Sequence, residues 1–235
     1  MIKITCISDT HNKHKSIFPG SGDLIIHAGD ATGRGHSGEI EPFLKWYGEL
    51  DFTHKILIAG NHDFGFERDP ATYEEMCKKY NVIYLNDTSV EIKDNDTGKL
   101  MKVHGSPVQP EFCDWAFNRR IGEFNQAPYA WIKPHWDLIP EDTNILVTHG
   151  PPKGIMDEVK NHFHPIPEEV GCPHLFNAVK NIKPQLHVFG HIHEQNGVIV
   201  KGSTTFCNAS MLNDRYNVAY TPWEFEWDNG KITLK

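Results

Sequence analysis

The residues of this chain whose types could do chemistry come in five short groups: Asp9-Thr10-His11, Gly29-Asp30, Gly60-Asn61-His62-Asp63, His149-Gly150 and Gly190-His191-Ile192-His193. Their donor atoms belong to carboxylates, one amide and imidazoles, and none of the 5 cysteines takes part. Oxygen and nitrogen mixed in this way suit divalent Mn, Fe, Zn or Ni, whereas oxygen alone would favour Mg or Ca, and thiolates a structural zinc. Seven such donors are too many for one catalytic ion that must keep positions open. They suit two ions about 3.5–4 Å apart with one carboxylate shared between them.

Each group ends an apolar run. Ile56-Leu57-Ile58-Ala59 reads as a buried strand, and Gly60 lets the backbone turn sharply to present Asn61, His62 and Asp63. Residues 2–8 alternate, carry β-branched side chains and stop at Asp9. If extended geometry continues past that point, Asp9 and His11 leave on one face and can share an ion. Asp23 to Ala28, Asn144 to Thr148 and Leu186 to Phe189 read as further strands that stop at Gly29-Asp30, His149 and Gly190. Sheet-based folds with helices gather their ligands beyond the carboxyl ends of strands, so the five endings converge on one site.

Helices are expected over 37–50, where Phe43, Leu44, Trp46, Tyr47 and Leu50 keep helical spacing behind a cap at Ser37 or a neighbour, over 70–80 with Pro70 in the first turn, and over 173–181. Residues 82–93 and 99–104 read as strands joined through Asp94-Asn95-Asp96-Thr97-Gly98. Residues 197–207 read as two short strands around Lys201-Gly202, and 225–232 as a hairpin on Asn229-Gly230. From Gly105 to Pro140 the periodicity fails while prolines and aromatics accumulate, among them Phe112, Trp115, Phe117, Phe124, Tyr129, Trp131 and Trp136. A segment that long is expected to cap the site, with a satellite core under short helices as the plainer alternative. No repeat or linker interrupts the chain, which predicts a single domain over 1–235.

The 235 residues are 39% hydrophobic and 23% charged, the balance of an ordinary globular chain with ample core. The formal charge of −8 argues against long nucleic acid and anionic membranes as partners, both of which select a basic face. Scattered cysteines without a CxxC pair read as reduced thiols of a cytosolic protein. No signal peptide and no run of about 18 apolar residues is visible. The cytoplasm is the expected compartment and a small molecule the expected partner.

In order, DTH, GD, GNHD, HG and GHIH resemble the five signatures of the calcineurin-like metallophosphoesterase superfamily. IAGNHD, HGSPVQPEFCDWAFN, THGPP and HVFGHIHE are similar, more narrowly, to the metallophosphoesterase-domain-containing proteins of animal brain and their microbial relatives, a family with cyclic-nucleotide phosphodiesterase activity. The resemblance implies an α/β fold of two packed mixed β-sheets flanked by helices, a four-layer sandwich. It implies that Asp9, His11, Asp30 and His193 hold one divalent ion while Asp30, Asn61, His149 and His191 hold the other, with Asp30 bridging; the mixture of imidazoles, carboxylates and one amide makes Mn the expected metal. Some animal relatives lack a histidine of the last motif and turn over slowly; this chain keeps both His191 and His193.

One departure stands out. Where many members read GDxxDR, with the later Asp orienting the GNH histidine, this chain has Gly33. Arg34 falls where those members carry an arginine that can bind phosphate, with a solvated surface arginine as the alternative. The implied reaction is phosphodiester hydrolysis, 3',5'-cyclic nucleotides being the expected substrates, by a hydroxide bridging the two ions, with His62 protonating the leaving oxygen. Trp115 and Phe112 are candidates to stack a base, and His162 and His164 to touch substrate. A phosphomonoesterase or nuclease with the same metals, or a regulatory protein with little turnover, are the rival readings.

Overall fold

The apolar runs pair into two six-stranded mixed sheets. A computed structural model describes residues 1–122, 131–160, 166–228 and 230–235. In spatial order the first sheet is Lys231–Leu234, Trp223–Asp228, Ile2–Ile7, Gly22–Ala28, Phe52–Ile58 and Ile83–Tyr84. Its strands from Ile2–Ile7 onward are parallel, and the C-terminal hairpin joins antiparallel. The second sheet runs Gly197–Lys201, Thr204–Asn208, Leu186–Phe189, Ile145–Thr148, Leu100–Ser106 and Thr88–Lys93, parallel at its centre and antiparallel at both edges.

Alternation assigns the layers. Ile4, Cys6, Leu24, Ile26, Ile56 and Ile58 face Met101, Val103, Ile145, Val147, Leu186 and Val188 between the sheets. Their neighbours Ile7, Ile25 and Leu57 turn outward to Phe43, Leu44, Tyr47 and Tyr73 of the helices Ser37–Glu49 and Pro70–Lys79. On the other side Leu146, Phe189 and Phe206 meet Leu175 and Val179 of Pro173–Ile182 and Trp136 of Lys133–Trp136. The central parallel strands are thus covered on both faces, which is why they read as near-continuous apolar runs. The four-layer expectation holds. Among the described residues, no helix is long and apolar enough to cross a membrane.

One expectation changes and two gain detail. The run 82–93 is not one strand: Ile83–Tyr84 closes the first sheet and Thr88–Lys93 edges the second, because the chain crosses between sheets at Leu85–Asp87, with Asp87 at φ 52°. The first long helix is capped by His36 without a side-chain bond of its own. Glu39 accepts instead from the amides of Arg34 and Gly35 at 2.8 and 3.0 Å, which holds the loop that enters the helix. Within 105–140, Gln109–Pro110 pairs with Asn118–Arg119, Ala116 and Phe117 join the helix side of the first sheet, and Trp136 packs beneath the second. Phe124, Tyr129 and the turn residue Asn229 lie outside the described residues.

Candidate metal centre

All five groups stand at the carboxyl ends of parallel strands, on the edge where the sheets meet. A bridge between Ser8 and Ser210 and the Met211 amide bonded to the Ser8 carbonyl at 2.9 Å join the sheets there. Two glycines make the convergence possible. A Cβ at Gly60 would lie 2.2 Å from Asp30 Oδ1, and one at Gly190 would lie 2.0 Å from Asp9 Oδ2. Gly60 therefore serves close approach rather than a left-handed turn. The left-handed conformation falls on the donors themselves: Asp9, His11, Asp30 and His191 have φ of 51°, 38°, 54° and 68°. Such backbone costs of order 1–3 kcal/mol per residue and concentrates at functional sites. It also replaces the strand alternation expected for Asp9 and His11, which meet through a tight turn instead.

The donor atoms gather in overlapping sets. Asp9, His11 and His193 offer atoms within 4.8 Å of one another, as do Asp30, His149 and His191. A third set, His11, Asp30 and His62, links them. Asp30 Oδ2 is 3.6 Å from His11 Nε2 and 3.4 Å from His149 Nε2, while Asp30 Oδ1 accepts the His62 amide at 2.8 Å. Asn61 Oδ1 is 2.9 Å from His149 Nε2, and His193 Nε2 is 3.4 Å from Asp9 Oδ1.

The imidazoles are aimed. Nδ1 of His11, His149 and His193 lies 3.2, 2.9 and 3.0 Å from the carbonyls of Thr32, Ala28 and Asn213. A carbonyl can only accept, so Nδ1 carries the proton and the Nε2 lone pair faces the cluster, the arrangement that metal-binding histidines use. Asp63 is not part of the donor sets. Its carboxylate accepts from the amides of Ala31, Thr32 and Gly60 and the Thr32 hydroxyl at 2.7–3.2 Å, tying the end of one strand to the next.

A family model described as Calcineurin-like phosphoesterase matches residues 2–195. The chain belongs to that family. It is 36% identical over 242 residues to the Homo sapiens protein named Metallophosphoesterase domain-containing protein 1, covering 94% of this chain and 69% of the relative, and equally to its Mus musculus counterpart. Among solved structures, a phosphopantetheinyl hydrolase from Mycobacterium tuberculosis shares the fold with TM-score 0.62 at 18% identity, over 91% of this chain and 90% of that one. A putative 5'-nucleotidase from Staphylococcus aureus has TM-score 0.55 at 14% identity, over 99% of this chain and 52% of that one. Calcineurin-like phosphoesterases hydrolyse phosphoesters with metal ions.

The charge balance of this phosphoesterase suits that chemistry. Burial disfavours charge on every donor, yet Asp9 and Asp30 stay well below the usual carboxylate range because the imidazoles of His193 and His149 lie against them. For His149 burial is outweighed by Asp30 and Asp9, which raise its pKa to about 9. A site that pulls a proton onto a buried imidazole has a field that a divalent cation answers. Burial instead lowers His11 to about 4 and His191 to about 3, leaving them neutral, the form in which an imidazole can bind a metal. Burial and then Asp30 lift Asp63 to about 6, against the pull of its four donors.

A cleft of about 1030 Å³ opens over the donors and is lined by Asp30, Asn61, His62, His191 and His193 together with Phe112 and Trp115. Phe112 is 39% exposed, its ring 5.2 Å from that of His191. Trp115 lies flat on His62, and Arg34 sits over the Trp115 ring instead of among the lining residues. His162 and His164 fall outside the described residues. Sequence reasoning missed the loop 213–217. Tyr216 lines the cleft with its ring 4.9 Å from His11 and 5.0 Å from His193, and Asn213 supplies the carbonyl that aims His193. No periodicity marks that loop, and only its polar run of Asn, Asp and Arg around one tyrosine was there to be noticed.

Proposed function

We propose that this calcineurin-like phosphoesterase is a phosphodiesterase of small substrates, cyclic nucleotides first among them, and that it works with two divalent ions, Mn best suited to the mixed donors. The observation that carries this reading is that one oxygen, Asp30 Oδ2, lies within reach of a histidine of each set, 3.6 Å from His11 Nε2 and 3.4 Å from His149 Nε2. Asp9, His11, Asp30 and His193 would hold one ion and Asp30, Asn61, His149 and His191 the other. Ions bound there supply charge neutralisation at the phosphoryl oxygens and an activated water at neutral pH.

The chain's own part is orientation and proton delivery. Carbonyl-anchored imidazoles and the amide-held Asp9 and Asp30 fix the donors before substrate arrives, so little reorganisation accompanies reaction. His62 lines the cleft with its Nδ1 bonded to the Gly33 carbonyl and its Nε2 4.0 Å from Asp30 Oδ2. From there Nε2 reaches the departing side of a phosphorus seated at the cluster. The exposed ring of Phe112 offers a base a stacking surface beside His191. In this reading the chain acts as one domain in the cytoplasm, with residues 110–121 bordering its cleft.

The test is His62→Ala assayed on two substrates. General-acid help contributes typically about 10²–10⁴-fold and matters for a ribose alkoxide, a poor leaving group, far more than for nitrophenolate. Cyclic-nucleotide hydrolysis should collapse while nitrophenyl diester hydrolysis and metal content persist. Equal losses on both substrates with intact metals would exclude the general-acid role.

A further inference from the structure

Among the described residues His62 makes one side-chain hydrogen bond, from Nδ1–H to the Gly33 carbonyl at 2.9 Å. Such a bond fixes an atom but not a plane, because carbonyl acceptors tolerate a broad range of approach directions. Position 33, a glycine, has no side chain to share the task. The plane comes from elsewhere. The Trp115 ring lies 4.2 Å from that of His62 at an interplanar angle of 28°, and His11 meets His62 edge-on at 4.6 Å.

Trp115 is itself held. The Arg34 guanidinium lies 4.7 Å from its ring centroid, and Phe64 tilts against it at 5.9 Å. The next amide, that of Ala116, donates to the Asn61 carbonyl at 3.1 Å, and the Phe117 amide donates to Glu67 at 3.0 Å. The indole is thereby tied to the backbone of the residue just before His62.

We propose that Trp115 is a positioning residue for His62: its face holds the imidazole plane so that Nε2 points at the leaving oxygen. The inference rests on the general-acid reading of His62. An indole whose face is turned to an imidazole acts on the proton transfer and not on the binding of a base, so its loss changes kcat and leaves KM.

Three variants decide it: Trp115→Leu, which removes the flat face, Trp115→Phe, which keeps one, and Trp115→Leu in a His62→Ala background. Aromatic stacking of this kind corresponds to about 3- to 10-fold in an equilibrium. Trp115→Leu should lower kcat for a cyclic nucleotide by about that factor, spare the nitrophenyl diester, and add nothing once His62 is gone. Trp115→Phe should restore most of the loss. In NMR spectra of the protein loaded with diamagnetic Zn, the His62 Hε1 resonance should leave its ring-current-shifted position in Trp115→Leu. A raised KM with unchanged kcat, or full additivity with His62→Ala, overturns the proposal. If instead His62→Ala alone proves unselective between substrates while the ring-current shift is present, the general-acid reading fails and the stack stands as geometry only.

Discussion

The backbone amide of His191 donates to both carboxylate oxygens of Asp9, at 3.1 and 3.0 Å, across 182 positions of sequence. Asp9 follows the strand Ile2–Ile7 of the first sheet and His191 the strand Leu186–Phe189 of the second, so this contact fastens the two sheets at the site. Hydrogen bonds to charged groups contribute about 1.5–3 kcal/mol. Here they also fix which way the Asp9 oxygens face.

Gly190→Ala tests that fastening. The new Cβ would come within 2.0 Å of Asp9 Oδ2 and 2.2 Å of Ser8 Oγ, so Asp9 must move. Moved off the His191 amide, Asp9 loses its orienting partner, and loss of such a partner costs roughly 10–100-fold in metal affinity. Titration calorimetry on metal-stripped protein should show a loss of that size with the far-UV spectrum retained. Native affinity would mean that the contact is not needed.

His187 is fully buried, with Nε2 2.8 Å from the Thr148 hydroxyl, and burial alone lowers its pKa from 6.5 to about 3. The Thr148 hydroxyl already donates to the Gly150 carbonyl at 2.7 Å, so Nε2–H donates to Thr148. The folded chain keeps this ring neutral while the unfolded chain protonates it, so U binds more protons below pH 6.5. Its contribution is fully present above that pH and is lost as pH falls toward about 3, by about 2 kcal/mol near pH 5. Glutamine can keep the donor without the titration. Denaturant unfolding of metal-stripped His187→Gln should show a pH slope smaller by about one proton over this window. An unchanged slope would place the acid sensitivity elsewhere.

Phe112 offers the cleft an open aromatic face. Base stacking is worth about 1–3 kcal/mol, so Phe112→Ala should raise KM for a cyclic nucleotide about tenfold or more and leave a nitrophenyl ester nearly unaffected. Steady-state kinetics on both substrates checks it. Equal KM values before and after would make Phe112 a rim residue without a part in binding.

What the sequence made legible was the part written in short range. Asp9, His11, Asp30, Asn61, His149, His191 and His193 each follow an apolar run that only a buried strand explains, so their place at strand ends could be read directly. Their grouping into overlapping sets came from the family resemblance alone, because Asp9 meets His193 and Asp30 meets His149 only once the sheets pack. Left-handed backbone at Asp9 and His11 is set by that packing and leaves no mark in residue type. Trp115 could be noticed as an aromatic but not as the partner of His62, since the stack joins residues of separate segments. Tyr216 and Asn213 stood in a loop without periodicity. Residues 82–93 misled because the same β-branched composition serves a strand in either sheet.

The most direct measurement is metal stoichiometry joined to activity in the wild-type protein and in Asp30→Asn. Protein reconstituted with Mn should hold close to two equivalents by elemental analysis, with phosphodiesterase activity rising until the second site fills. Asp30→Asn should lose both ions and activity together, since Asp30 Oδ2 faces His11 and His149 alike. Full activity at a single equivalent, or an Asp30→Asn protein that keeps two ions, would contradict the shared-carboxylate account.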